Sequence, residues 1–237
     1  MISHLEAQGL TKMYDGSLAL EQVDVRASTR QVTSVVGVNG AGKTTLLRIL
    51  AGLDTPSEGK IVMDARELGV EELRTHCTMI FQKSVMFSGT VYDNVAYGLR
   101  INQSSKQNIQ DRVGMALAMV NLNGFEKRKA RNLSSGEQQR VAIARALALE
   151  RAVLLIDEPT ANLDPANAII VEQIIRKSAE SRVVLLSTHN LPQARRLSHR
   201  IIHLHSGRVV EEQDTASFFA NPRDERTRLF ISGELQF

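Results

Sequence analysis

Residues 35–47 read VVGVNGAGKTTLL and set Gly37, Val38, Asn39, Gly40, Ala41, Gly42, Lys43, Thr44 and Thr45 between an apolar strand and an apolar helix. The spacing is G-x-x-x-x-G-K-[ST] in the strand–loop–helix context that gives this pattern its meaning. Glycines let successive backbone N–H groups turn inward around a phosphate, and the following helix adds the partial positive charge of its N-terminus. Lys43 then neutralises β- and γ-phosphate oxygens, and the Thr44 hydroxyl suits Mg²⁺. A second apolar strand, VLLIDE, ends in Asp157 and Glu158. In an open parallel sheet ligands gather at the carboxyl ends of the strands, so these acids arrive where the phosphates lie. Neighbours at a strand end point in different directions, which suits two roles: Asp157 for Mg²⁺, Glu158 for orienting or deprotonating water.

Three further features are ambiguous on spacing alone. VVLLSTHN ends in His189, where a neutral imidazole could donate to a γ-phosphate, although a lone strand-end histidine is more often structural. Gln82, closing TMIFQ, is by itself a polar residue after a strand. LSSGEQQRVAIARAL starts a helix, with Ser134 as N-cap and Glu137 completing a capping box. Gly136 in its first turn leaves backbone amides bare, so a positively polarised helix end stands far from the phosphate loop.

The elements that must position these groups alternate. Apolar β-type runs at Val32–Val36, Ile61–Met63, Thr78–Phe81, Val153–Ile156, Val183–Leu186 and Ile201–Leu204 are interleaved with helical patterns. That implies an α/β P-loop fold with a mostly parallel sheet covered on both faces. The opening strands, around Ile2–Gln8 and Leu20–Ala27, alternate as an antiparallel edge sheet does, and a last hairpin turns at Ser206-Gly207. Between about Phe87 and Leu149 the alternation gives way to helical spacing at Ile109, Val113, Leu117 and Val120. This reads as a helical sub-domain, 87–149, inserted into a core of 1–86 and 150–237.

With 237 residues, 43% hydrophobic and 23% charged, the chain supports one globular domain with a substantial core. Its longest apolar runs fall short of the roughly 20 residues that span a bilayer. The N-terminus lacks a basic-then-apolar signal segment, an expectation of a cytoplasmic chain. One cysteine, Cys77, excludes an internal disulfide and reads as buried filler. A net charge of +3, no Trp and no Lys/Arg run argue against nucleic acid.

The ordered motifs resemble the ATP-binding subunits of ABC transporters across nearly the whole chain. GVNGAGKTT is similar to their Walker A loop, VLLIDE to their Walker B strand, and LSSGEQQR to their signature, which most often reads LSGGQ. By the same resemblance Gln82 matches the Q-loop glutamine and a further Mg²⁺ ligand, and His189 the switch histidine. ANLD with Asp164 matches the D-loop, and Tyr14 the aromatic that stacks on adenine. Ser135 and Glu137 depart from the commonest signature residues, and Val38 from a frequent proline. The resemblance implies a head-to-tail homodimer in which Ser134, Ser135, Gly136 and Glu137 of one copy meet the ATP on the other's Walker A loop. It further implies integral membrane permease subunits, a location on the inner face of the membrane, and a solute-binding protein. The segment KSVMFSGTVYDNVAYGL, with Met86 and Phe87 expected exposed, would face the permease. The lack of a fused membrane domain favours import, and VYDNVAYGLR and FFANPRDERTRLFISGEL resemble tungstate, molybdate and phosphate importers, tungstate nearest. A soluble ABC-type ATPase acting on DNA or ribosomes, an exporter ATPase and a non-hydrolysing nucleotide sensor are the alternatives.

Overall fold

The computed structural model describes residues 2–161 and 163–234; Asn162 of ANLD and Leu235 of the terminal stretch lie outside the described residues. The chain forms two compact units, one of residues 1–79, 152–158 and 178–237, the other of 80–151 and 159–177.

In the first unit, β1 (His4–Tyr14) pairs antiparallel with β2 (Ser17–Ser28) and with β4 (Glu58–Met63), and β5 (Arg66–Glu67) completes the order β2-β1-β4-β5. Leu5 and Ala7 point into the core while Glu6 does not, the period-two pattern of a sheet with one covered face. The larger sheet runs β10-β9-β3-β8-β7-β6. Its strands are β3 (Val32–Val36), β6 (Cys77–Ile80), β7 (Val153–Asp157), β8 (Val183–Thr188), β9 (Arg200–His205) and β10 (Arg208–Asp214). Every residue of β3, β7 and β8 is buried, which is why these segments read as continuous apolar runs rather than alternating ones. β3 lies parallel to β8 and β9, and β7 parallel to β8; β9 and β10 form the expected hairpin about Ser206-Gly207.

Register now does functional work. Val36 sits across from Thr188 and Asp157 across from Ser187, so Gly37, Glu158 and His189 leave three adjacent strands at one edge. Behind them α1 (Lys43–Leu50) buries Leu46, Leu47, Ile49 and Leu50 in a core with Leu5, Leu20, Val35, Leu155 and Leu185. At about 1.5–3 kcal/mol per buried side chain, this helix is held by packing. Cys77 belongs to the same core and is a free thiol. α2 (Val70–His76) precedes β6, and α7 (Leu191–Leu197) is capped by Asn190, whose Oδ1 accepts from the Gln193 amide.

The C-terminal helices α8 (Thr215–Ala220) and α9 (Glu225–Ser232) are fastened to the sheet by buried polar groups. Glu211 accepts from the amides of Arg223 at 2.8 Å and Asp224 at 3.0 Å. His203 Nδ1 shares a 2.8 Å hydrogen bond with Thr227 Oγ1, and its ring stacks on Phe230 at 4.7 Å.

The second unit is helical: α3 (Val91–Ile101), α4 (Lys106–Met119), a 3₁₀ turn at Ala130–Asn132, α5 (Ser135–Ala148) and most of α6 (Pro165–Ala179). Val91, Val95 and Leu99 of α3, Val113 and Leu117 of α4, and Val141 of α5 are buried, and the three helices pack on one another. The helix α3 falls within the 87–149 stretch that the sequence assigns to helix. Its start is written there as a Thr90–Asp93 capping box, with Thr90 Oγ1 accepting from the Asp93 amide at 3.1 Å.

Burial, and then the nearby His205, hold His203 down to about 4 from an ordinary 6.5. The unfolded chain therefore binds a proton that the folded chain refuses, and stability is full above about pH 6.5 and falls as the pH drops toward 4. The expected loss is about 3 kcal/mol, read from denaturant midpoints across that window, and His203→Leu should flatten the slope. An unchanged slope in the variant would exclude His203 as its source.

Candidate nucleotide-binding site

The loop after β3 is shaped by close backbone approach. Gly37 has φ +156°, and a Cβ there would lie 2.2 Å from the Leu204 carbonyl oxygen. Gly42 is left-handed at φ +104°, and its Cβ would lie 2.7 Å from the Ala19 carbonyl oxygen. Gly42 is also the N-cap of α1 and offers no side-chain cap, so the first-turn amides of a well-buried helix remain open to an anion.

Lys43 is the cation of this loop and is 6% exposed. Its Nζ donates to the carbonyls of Gly37 at 2.8 Å and Val38 at 3.0 Å, and lies 3.8 Å from Glu158 Oε1. Burial lowers its pKa, against the opposing pull of Glu158 and Asp157. Asp157 is held at both oxygens: Thr44 Oγ1 donates to Oδ2 at 2.8 Å, and the Ser187 hydroxyl donates to Oδ1. A hydroxyl and a carboxylate so paired are a hard-oxygen donor set of the kind Mg²⁺ takes together with substrate phosphates.

Glu158 carries a left-handed φ of +45°, a strained conformation for a residue with a side chain. Its amide donates to the Ser187 carbonyl at 3.1 Å, which fixes the bend, so that Asp157 and Glu158 take different neighbours. His189 Nδ1 lies 2.9 Å from Glu158 Oε1, in ion-pair range but outside hydrogen-bond geometry, so the buried Oε1 accepts no hydrogen bond. The buried Glu158 Oε1 thus lies between a lysine and a half-exposed histidine. His189, which spacing alone left as structural, thus faces the second acid of β7.

Tyr14 is 40% exposed at the end of β1, with Lys12 Nζ 4.7 Å from its ring centroid and its hydroxyl donating to Asp54. Burial first, then Asp54, raise the phenol pKa. Asp54 and Ser187 support site residues through long-range contacts that no local pattern in the sequence announces.

The signature residues lie in the helical unit. Ser134 caps α5: its Oγ accepts from the Glu137 amide at 3.3 Å while Glu137 Oε2 accepts from the Ser134 amide at 2.8 Å. Ser134 and Ser135 are exposed, whereas Gly136 is buried. A Cβ on Gly136 would stand 2.5 Å from the Asn167 side chain, which Asp164 holds through Oδ2 at 2.6 Å to Nδ2 and Oδ1 at 3.0 Å to the backbone amide. A side chain at position 136 would therefore have to displace the Asn167 amide on α6. Gln82, also in this unit, is exposed and borders a cavity of about 170 Å³ with Lys83, Ser84, Ser135, Gln138 and Gln139.

Comparison with known proteins places this geometry. The model of a family described as "ABC transporter" matches residues 20–161. The chain is 38% identical over 250 residues to the phosphate import ATP-binding protein PstB 2 of Natronomonas pharaonis, covering 98% of this chain and 88% of that one. It is likewise 38% identical over 211 residues to the tungstate uptake system ATP-binding protein TupC of Peptoclostridium acidaminophilum, covering 87% and 97%. Among solved structures, cbiO1 of Clostridium perfringens, part of the ABC transporter complex cbiONQ, superposes with a TM-score of 0.85 at 26% identity over 99% of this chain and all of that one. The chain belongs to the ABC transporter family, as an ATP-binding subunit with ATPase activity.

The Gly136–Asn167 contact is directly testable. Gly136→Ala should cost about 1–3 kcal/mol of stability by overpacking, measured by denaturant unfolding. Adding Asn167→Gly should recover part of that loss; strictly additive losses would mean the two residues do not meet.

Proposed function

We propose that this subunit hydrolyses Mg·ATP as a head-to-tail homodimer and so drives uptake of an oxyanion through separate membrane permease subunits. The observation that carries the catalytic half is the constellation at one sheet edge: an uncapped helix N-terminus, buried Lys43, the Thr44–Asp157 pair, and a strained Glu158 between Lys43 and His189. In this reading the loop Gly37–Thr45 cradles the phosphates, with Lys43 on the β- and γ-oxygens, and Tyr14 stacks on adenine. Thr44 and Asp157 would hold Mg²⁺, which supplies charge neutralisation on the phosphates. Glu158 orients the attacking water and accepts its proton, and His189, already against Glu158, donates toward the γ-phosphate. The two exposed serines at the start of α5, with Gly136 and Glu137, serve the ATP of the second copy, and Asp164 lies at that dimer contact. Two surfaces presenting open N–H groups to a highly charged γ-phosphate are joined by it.

The import half is supported by relatives named for phosphate, anion and tungstate import. Among the described residues no helix is long and apolar enough to cross a membrane, consistent with peripheral attachment to permease subunits on the cytoplasmic face, with a solute-binding protein outside. The docking face needs one correction: Met86, expected exposed, is 8% exposed and part of the packing, because the chain turns it inward beside Arg145. Val85, Phe87 and Tyr97 are the exposed apolar residues there, with the Phe87 and Tyr97 rings 4.5 Å apart.

Two variants test the catalytic assignment. Lys43→Ala should lose ATP binding by about 2–4 kcal/mol, measured with a fluorescent ATP analogue, because it removes a charge-assisted contact to phosphate. Glu158→Gln should bind ATP and shift from monomer to dimer by light scattering while turnover drops by about 10²–10⁴-fold. Retention of more than about a tenth of wild-type turnover would remove Glu158 from the role of base. For the import half, co-reconstitution with its permease subunits should give ATP-dependent uptake of molybdate, tungstate or phosphate; outward movement alone would refute it.

A further inference from the structure

Tyr14 stands at the tip of the β1–β2 hairpin, directly before a two-residue turn at Asp15-Gly16 whose φ angles are both positive, +45° and +82°. A ring so placed and 40% exposed has little packing of its own to hold it. The loop after α1 holds it instead. Asp54 accepts from the Tyr14 hydroxyl through Oδ2, and from Lys12 Nζ through Oδ1 at 2.8 Å. The same ammonium donates to the Thr55 carbonyl at 2.7 Å and lies over the Tyr14 ring, 4.7 Å from its centroid. Two further bonds fasten the strand: Ser57 Oγ accepts from the Met13 amide at 3.1 Å, and the Ser57 amide donates to the Thr11 carbonyl at 2.8 Å. Burial alone would raise the Asp54 pKa; the bonds from Lys12, Tyr14 and the Thr55 amide lower it instead, so the carboxylate keeps its charge at neutral pH.

This clamp matters for a planar ligand in two ways. The Lys12 ammonium covers one face of the ring, where a cation is attracted to the π-system, and leaves the other face for a base. The hydroxyl is tied to the helix that carries the phosphate loop, through Thr45 in the first turn of α1 and through Asp54 in the loop that follows it. We propose that Lys12 and Asp54 are positioning residues for the nucleotide base: Asp54 fixes the ring by its hydroxyl, and Lys12 closes one of its faces, so that the base is received on the other alone. The proposal rests on the reading that Tyr14 stacks on adenine. Its physical content is preorganisation, since a ring already held in place loses less freedom when the base arrives.

The test compares two probes that differ by the nucleoside, Mg·ADP and Mg·pyrophosphate, bound to the full chain and measured by calorimetry. Asp54→Ala should weaken Mg·ADP about three- to tenfold, as expected for one lost hydrogen-bonded tie, and leave Mg·pyrophosphate within about twofold. In a Tyr14→Ala background the same substitution should cost Mg·ADP less than about twofold, because Asp54 acts through the ring. Lys12→Met, which keeps the apolar stem, should give the same pattern and serves if Asp54→Ala fails to fold. A loss shared equally by both probes, a loss of Mg·ADP that persists in the Tyr14→Ala background, or no loss at all overturns the proposal. Mg·ADP binding unchanged by Tyr14→Ala alone removes the stacking reading, and the proposal with it.

Discussion

A buried lysine is the constraint on which the rest of this molecule turns. Removing an ammonium group from water is costly, and burial does lower the Lys43 pKa. The site offsets that cost with two carbonyls of its own loop and with Glu158 and Asp157 at the end of another strand. Those acids come from a segment more than a hundred residues later, so the charge is tolerable only if the sheet places β7 and β3 one strand apart with β8 between them. The strand order and register do so. The parallel sheet, the glycines at 37 and 42, and the strain at Glu158 all follow from holding one cation in reach of both its own loop and those acids.

The helical unit solves the complementary problem of presenting an N-terminus without losing it to fraying. A capping box binds Ser134 to Glu137, and Asp164 holds Asn167 close against Gly136. Ser134 and Ser135 are left outside, so the serine that departs from the usual signature sits where a side chain has room. The same helix carries Gln139 and Arg145, which grip the loop beside it.

Much of this was legible in the sequence, for reasons that differ by element. The phosphate loop and VLLIDE were legible because their chemistry is local: glycine spacing, a lysine, and acids ending an apolar run. The capping box of α5 was legible for the same reason. His189 was legible only through the family resemblance, because its contact is a 2.9 Å approach to a group thirty-one positions earlier, created by strand register. Asn167 and Ser187 were missed likewise, since nothing near them in sequence says what they touch. Met86 was misjudged because one apolar residue in a polar stretch does not reveal which way a loop turns. The start of α3 is local as well, marked by Thr90 and Asp93.

The central claim is that each ATP needs parts of two chains, and complementation between two inactive variants tests it most directly. Lys43→Ala spoils the phosphate loop. Ser135→Asp places an acid on an exposed first-turn position, where it suits the helix and opposes a phosphate. Each alone should fail to turn over ATP, while Ser135→Asp still binds it. A one-to-one mixture should recover up to about a quarter of wild-type phosphate release, since half the dimers are mixed and each holds one intact composite site. A mixture as inactive as its parts, with both variants folded and associating, would mean that each chain is a self-contained enzyme and would contradict the account.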